Sequence, residues 1–264
     1  MSSDRTGGDR DPAPALTRGV YILRILAQAQ GEPVALADLA RTLEAAKSST
    51  SYLCTVLEEA NLIRRVGSGY VLGHGTVELG GAYLRSFNEV REFYRFCNEA
   101  PTLSEQVVQM AMLQESDVIY LARHEGRSPL RLTANLGDRF PAASTAVGNA
   151  LLAALPDEDI ADRFRYAHSF PMRTSESVRN LPELMDRLAR VRERGYALDE
   201  GGVHPGISGV AVRMPPRSSS SPAIAIGCSF LTSATSTLQR EAIVGELREL
   251  ERLLENPMQP HSNL

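Results

Sequence analysis

The side chains with the most chemistry to offer fall into two groups. The first is Lys47, Ser48, Ser49, Ser51, Tyr52 and Thr55. Ser48, Ser51, Tyr52 and Thr55 recur at three- and four-residue spacing, so on a helix they share one face. Small hydroxyls and a phenol, on a helix entered through a basic residue, can donate to or accept from phosphates and base edges in a DNA groove. Arg41 and the Arg64-Arg65 pair add positive charge nearby. The second group centres on Asp199 and Glu200, which directly follow an apolar run and precede Gly201-Gly202 and Gly206. Ser229 ends another apolar run, and a strongly apolar helix from Thr145 is entered through Pro-Ala-Ala-Ser. A carboxylate beside tight turns, a hydroxyl and free helix N–H groups could together hold a small molecule. The same residues also suit ordinary duties: acids cap loops and glycines mark turns.

Catalysis would need a nucleophile, a base and an orienting group that converge. The five histidines (74, 124, 168, 204 and 261) are scattered, and no His-x-Glu, nucleophile elbow, phosphate loop or paired metal-ligand spacing occurs. His124 and His204 read as loop or pocket-rim residues. Cys54, Cys97 and Cys228 are odd in number and unrelated in spacing, which favours buried structural thiols. No enzyme, metal or cofactor is therefore expected. A small-molecule-binding enzyme or sensor module with an interaction head is the alternative class.

The elements that must position the first group run from Leu36 to Leu72. Leu36, Leu39, Ala40 and Leu43 form one apolar face of a short helix, and Glu44-Ala45-Ala46 breaks it. Lys47-Ser48-Ser49-Thr50 reads as a helix start with a hydroxyl cap. Leu53, Val56, Leu57 and Ala60 are expected to point inward. Residues 61–66 and 70–72 are strands around a Gly67-Ser68-Gly69 turn. A helix-turn-helix followed by a hairpin is a winged helix, whose second helix enters the major groove. Before it, Val20, Ile22, Leu23, Ile25 and Leu26 make a first amphipathic helix.

A distinct resemblance follows from these stretches. Residues 16–26, Leu36-Ala37-Asp38-Leu39-Ala40, Lys47-Ser48-Ser49-Thr50, residues 57–63 and Tyr70-Val71-Leu72-Gly73 resemble the winged-helix domain of the IclR family of bacterial transcriptional regulators. The resemblance extends over roughly residues 16–255. The family pattern usually carries His-Arg or Tyr-Arg where this chain has Ser51-Tyr52. In the second half the resemblance implies that Asp199 contacts effector, that Ser229 is a pocket serine, and that the Ala146-Val147 peptide supplies backbone donors. Gly209 stands where a cysteine is common, Gly227 where a serine or other small polar residue is seen, and Ala143 replaces a frequent histidine. These exchanges imply an effector larger or less polar than a two- or three-carbon keto acid. The resemblance further implies a homodimer or dimer of dimers on double-stranded operator DNA, with repression the favoured sign.

The remaining chain supports an α+β protein. Residues 1–14 read as a disordered tail, 15–75 as the winged helix-turn-helix domain, 76–98 as linker helices, 99–256 as the effector-binding domain and 257–264 as a tail. Within the large domain, strands are expected at 107–113, 117–123, 130–134, 196–198, 209–212 and 223–227, with a loop at 137–141 and helices at 145–155, 159–166, 181–193 and 236–254. Two groups of strands separated by helices give an antiparallel sheet with helices packed on it. At 264 residues there is length for two domains, and no apolar run approaches a membrane span. A cytoplasmic location is expected. The net charge is −4, and residues 1–88 hold nine basic and nine acidic side chains. The head therefore relies on local clustering of charge rather than on an overall basic surface.

Overall fold

The computed structural model describes residues 11–85, 88–127, 135–214, 216 and 222–255. The chain divides into two compact units after Ser86. The expected strand at 130–134 lies outside the described residues, as do residues 257–264.

The first unit opens with α1 (Pro14–Gln28), which carries proline in its first turn, where no N–H is needed. Ile22 and Leu26 of α1 are buried. A short strand β1 (Val34–Ala35) leads into α2 (Leu36–Thr42) and α3 (Lys47–Glu59). The turn between these two helices passes through Glu44 at φ 49°. The start of α3 differs from expectation. Ala46 is its N-cap and no side chain caps it; Thr50 instead points inward and its hydroxyl donates to the Ala46 carbonyl. The buried stripe is accordingly Thr50 and Cys54, flanked by half-buried Leu53 and Leu57, while Val56 is 46% exposed and Ala60 is exposed. The inward face is thus rotated by about one residue toward Thr50 and Cys54.

Strands β2 (Ile63–Val66) and β3 (Gly69–Leu72) form the wing, with Ile63 opposite Leu72 and Val66 opposite Gly69. Strand β1 joins the other edge of β3, so the sheet has three strands rather than two. Gly73 has no substitute here: a Cβ on it would stand 2.2 Å from the Asn61 carbonyl oxygen. The close return holds the wing against the end of α3. Helix α4 (Gly75–Arg85) completes this unit.

The second unit begins with α5 (Asn88–Glu99), whose buried Phe93, Phe96 and Cys97 belong to this unit's own core. The segment expected as one linker, 76–98, is thereby shared between the units. Strands β4 (Val107–Gln114), β5 (Asp117–His124) and β6 (Arg139–Pro141) follow; β6 lies where a loop is expected. Then come α6 (Ala146–Leu152), α7 (Asp157–Arg163) and α8 (Leu181–Arg194), the last ended by Gly195 in the left-handed region. Strands β7 (Ala197–Glu200), β8 (Ile207–Met214) and β9 (Ile224–Leu231) precede the final helix α9 (Thr237–Glu255).

The six strands pair antiparallel in the order β6-β5-β4-β9-β8-β7. Side chains alternate between the two faces, so the register decides what each helix meets. One face presents Ala111, Ala197, Gly209, Ala211, Ala225 and Gly227, all small. Small residues let α6 approach closely, and all seven residues of α6 are buried. The other face presents Val108, Met110, Val210, Val212, Ile226 and Cys228, matched by Ile243, Leu247 and Leu250 of α9. Two apolar layers on one sheet give this α+β unit its core.

Candidate functional site

In the head, the recognition-helix candidates are placed by the fold of α2 and α3. Lys47, Ser48, Ser49 and Thr55 are exposed, Ser51 is half-buried, and Tyr52 is 72% exposed. The Thr55 hydroxyl donates to the Ser51 carbonyl at 3.1 Å, which leaves its oxygen free to accept. No acid occupies the first turn of α3, so nothing there offsets Lys47 or the positive helix end. Arg41, by contrast, is already paired with Asp38 on its own helix.

Arg64 and Arg65 are both exposed, yet they do not act as a pair. Successive strand residues face opposite ways. Arg65 lies with Ile63 on the core side of the wing; its guanidinium sits 5.0 Å from the centre of the Tyr70 ring and donates to the Tyr70 hydroxyl at 2.6 Å. Arg64 lies on the other side, beside Val71 at a cleft formed with Leu26, Ala27 and Gln30 near the end of α1. The wing therefore offers one anchored arginine and one untethered arginine on separate faces.

In the second unit, Asp199, Ala146, Val147, Gly209, Gly227 and Ser229 all line one cavity. They come from four separate elements. Register explains the convergence: Asp199 is opposite Gly209, and Gly209 is opposite Ser229, so three strands bring these residues into one row. Two placements differ from expectation. Asp199 and Glu200 are the last two residues of β7 rather than loop residues after it, and Ser229 sits within β9 rather than at its end. Helix α6 starts at Ala146, with the Thr145 hydroxyl as the cap that accepts from the Gly148 N–H at 3.1 Å. Its amide clamp comes from within: the Asn149 side chain donates to the Ala142 and Ala143 carbonyls at 2.9 and 2.8 Å.

Asp199 is 8% exposed. Its Oδ1 accepts from the Gly202 N–H at 2.7 Å. Burial pushes its carboxyl up to about 6; the Gly202 bond and distant Arg187 oppose that shift without cancelling it. The turn that supplies Gly202 is held by two hydroxyls, Thr174 to the Gly201 carbonyl and Ser177 to the Gly202 carbonyl, both at 2.7 Å.

The cavity also contains Tyr120, Phe140 and Gln109, not anticipated as pocket members, beside the anticipated rim residue His204. Tyr120 and Phe140 contribute rings 5.4 Å apart, and His204 meets Phe140 edge-on at 6.5 Å. Gln109 lies opposite Gly227 and accepts from the Ser229 hydroxyl at 3.3 Å. A glutamine in the middle of the apolar run 107–113 was the signal available for it. His204 lies at the cavity, as a rim residue would; His124 does not line it, and its ring nitrogen lies 3.3 Å from the Ser104 carbonyl.

The glycines do not widen the cavity equally. A Cβ on Gly209 would make ordinary contact, 3.5 Å from the Ala146 Cβ. A Cβ on Gly227 would stand 2.7 Å from Val147 Cγ1 and 3.2 Å from the Ala211 Cβ. The space a side chain at 227 would take is already filled by Val147. The centre of a water molecule can range over ≈ 50 Å³ of the cavity, so the space around it takes several waters or a small organic molecule.

The three cysteines are buried, and burial raises Cys54 to about 11, Cys97 to about 12 and Cys228 further still. Such thiols are poor nucleophiles. Among the described residues no group of acids, histidines and cysteines is arranged to hold a metal, and no helix is long and apolar enough to cross a membrane.

A winged-helix head joined in one chain to a domain with a ligand-sized cavity defines a ligand-responsive DNA-binding regulator. Residues 15–67 match the IclR helix-turn-helix domain and residues 81–254 match the bacterial transcriptional regulator IclR C-terminal domain, and the chain belongs to the IclR family of transcriptional regulators. It is 27% identical over 190 residues to the HTH-type transcriptional repressor AllR of Salmonella typhi, covering 71% of this chain and 69% of that one. It is similarly 27% identical over 190 residues to the transcriptional repressor IclR of Escherichia coli K12, covering 70% and 69%. Among solved structures, the IclR homologue from Microbacterium hydrocarbonoxydans complexed with 4-hydroxybenzoate superposes with a TM-score of 0.72 at 20% identity, covering 91% of this chain and 98% of that one. The family is one of regulators, not of enzymes.

Proposed function

We propose that the chain is a cytoplasmic repressor that binds operator DNA through α3 and responds to a small organic acid held at Asp199. The observation that carries the ligand half is the convergence of Asp199, Gly209, Ser229, Gly227 and the Ala146-Val147 peptide on one cavity. The cavity admits a small organic acid, and because Val147 fills the space beside Gly227, Gly209 is the exchange that leaves room for a larger one. The observation behind the DNA half is the exposed hydroxyl-bearing face of α3, whose first turn carries no acid.

On this reading Lys47, Ser48 and Ser49 meet phosphates at the start of the recognition helix, Ser51, Tyr52 and Thr55 reach base edges, and Arg65 tracks the backbone from the wing. Arg41 and Arg64 contribute less, because one is paired and the other faces away. A single head with so few cations binds DNA weakly, so the working unit is a homodimer or a dimer of dimers. Exposed Leu16, Val20 and Tyr21 on α1 and Val77, Leu79 and Tyr83 on α4 offer apolar surface for that association. Effector acts by population shift and can move the heads only as far as its affinities for the two arrangements differ.

The test is fluorescence anisotropy with DNA from upstream of the chain's own gene and of its neighbours, with and without a panel of small acids. Salt-resistant binding to one sequence, altered by one acid, is the expected result. Equal binding to every sequence at physiological salt overturns the DNA half. Operator binding that no small acid alters, with no acid detectable in the cavity by calorimetry, overturns the ligand half.

A further inference from the structure

The cavity contains a chemical conflict. Asp199 is its one carboxylate, and no lysine or arginine is among the described residues that line it. Asp199 is more than nine-tenths buried, and beyond the Gly202 N–H on Oδ1 its carboxylate has no hydrogen-bond partner among the described residues. The second oxygen is therefore left for whatever enters.

Among the described residues no lysine or arginine forms an ion pair with Asp199: Arg123, opposite Gln109 on the same sheet face, pairs with Glu125 at 3.3 Å, Arg173 lies 5.3 Å from the Phe140 ring, and Asp138 acts on Tyr120 from beyond it. From α8, Arg187 donates to the Glu176 carbonyl at 3.4 Å and reaches Asp199 only at long range. Glu176 itself lies beside the Gly201-Gly202 turn, and Glu200 adjoins on β7. Tyr120 faces the group from β5 and His204 from the 201–206 turn. At the cavity itself, strands β4, β8 and β9 and helix α6 present uncharged groups, among them Gln109, Gly209, Ser229, Ala146 and Val147, with the Cys228 thiol held neutral by burial; Arg213 of β8 is on the same face but beyond the lining. An anionic effector would thus share a buried site with a like charge. Two carboxylates in one such site do not both stay ionised.

We propose that the cavity takes its organic acid together with one proton: as the anion enters, Asp199 is protonated from solvent and its free oxygen becomes an O–H donor to a carboxylate or carbonyl oxygen of the effector. One anion and one proton go in, one O–H bond forms, and the site's net charge is unchanged by the pair. This rests on the effector-pocket reading above. Burial by itself already disfavours the charge on Asp199, so the proton is close at hand near neutral pH. The consequence is selectivity for acids that can accept such a bond, with affinity that rises as pH falls.

The experiment is calorimetric titration of the full chain with pyruvate and benzoate, and with the neutral analogue pyruvamide, in phosphate and in Tris at pH 7.5. Repeats follow from pH 5.5 to 8. The expected result for the acids is uptake of close to one proton per site and an affinity that falls about tenfold per pH unit above pH ~6. Pyruvamide should bind without proton uptake. Asp199→Asn carries a permanent N–H donor; it should bind the acids at pH 7.5 at least as tightly as the native chain, with flat pH dependence and no uptake. His204→Gln should keep the uptake. Acid binding with no uptake and no pH dependence in the native chain overturns the proton coupling alone, as does loss of acid binding in Asp199→Asn. Loss of uptake in His204→Gln moves the proton to the imidazole and overturns the assignment to Asp199. If neither acid binds to the native chain at any pH, the small-acid reading of the pocket falls with it.

Discussion

Asp199 can be tested without any ligand, because its burial makes a statement about stability. An acid whose folded-state value is raised above its unfolded value prefers the fold when protonated. Its contribution is fully present below about 3.8, the ordinary aspartate value, and is lost as pH rises through about 6. Each pH unit of displacement corresponds to about 1.4 kcal/mol, so the full loss is on the order of 3 kcal/mol, most of it between pH 4 and 6. Asparagine has nearly the same shape and an oxygen that can still accept from the Gly202 N–H, but it does not ionise. Asp199→Asn should therefore match the native chain at pH 4 and exceed it at pH 7.5 by roughly 2–3 kcal/mol.

For a unit of this size, 1 kcal/mol moves the melting temperature by roughly 2–4 °C, so the gap at pH 7.5 should be about 5–10 °C. The assay is scanning calorimetry of the full chain and the variant at several pH values. The second unit's transition should move and the head's should not, since the head has its own core around Ile22, Leu26, Leu39 and Ile63. The comparison is a difference of differences, so any fixed cost of asparagine cancels. A gap that is the same at pH 4 and 7.5 would refute the reasoning, because it would mean that the Asp199 carboxylate is solvated in the native state.

Three further outcomes follow from the geometry. Lys47→Ala should weaken binding to all DNA and reduce the salt slope by about one unit, while Tyr52→Ala should alter sequence preference and Arg41→Ala, already paired with Asp38, should change little; equal losses on every sequence for all three would overturn these roles. Gly227→Ala should destabilise the second unit by about 1–3 kcal/mol through overpacking against Val147, and Gly209→Ala should be nearly neutral; urea unfolding curves that rank them the other way would contradict the contacts. A thiol-reactive disulfide reagent should label none of Cys54, Cys97 and Cys228 in the native chain, since burial both covers them and keeps them protonated. Rapid labelling without denaturant would show that the cores open readily.

What the sequence made legible, and what it did not, divides along the range of the interactions involved. The order helix, turn, helix, hairpin was readable because each part is encoded locally, by spacing within α2 and α3 and by Gly67 and Gly69 in the wing. The pairing of Val34 with Tyr70 that adds β1 to the head sheet joins residues far apart in sequence and left no local mark. The same distinction explains α3. Periodicity alone ranked Val56 above Thr50 as an inward residue, because it counts apolarity. The fold preferred Thr50, whose hydroxyl can be satisfied by the Ala46 carbonyl one turn back. In the wing, adjacent arginines read as a pair, although strand alternation makes adjacency the one spacing that separates side chains.

The pocket shows the limit most clearly. Its members could be named one at a time, yet that Asp199, Gly209 and Ser229 share a row depends on the register of β7, β8 and β9, which no local spacing reveals. The inference that two glycines enlarge the site counted missing side chains without knowing what replaces them. Val147 on α6 fills the space beside Gly227, while the space beside Gly209 stays open. A cavity's volume is a property of the gap between layers, and α6 settles close because the sheet beneath it is lined with alanine and glycine. Beside Gly227, the small residue that suggested room for a larger effector is the one that lets Val147 descend and take that room away.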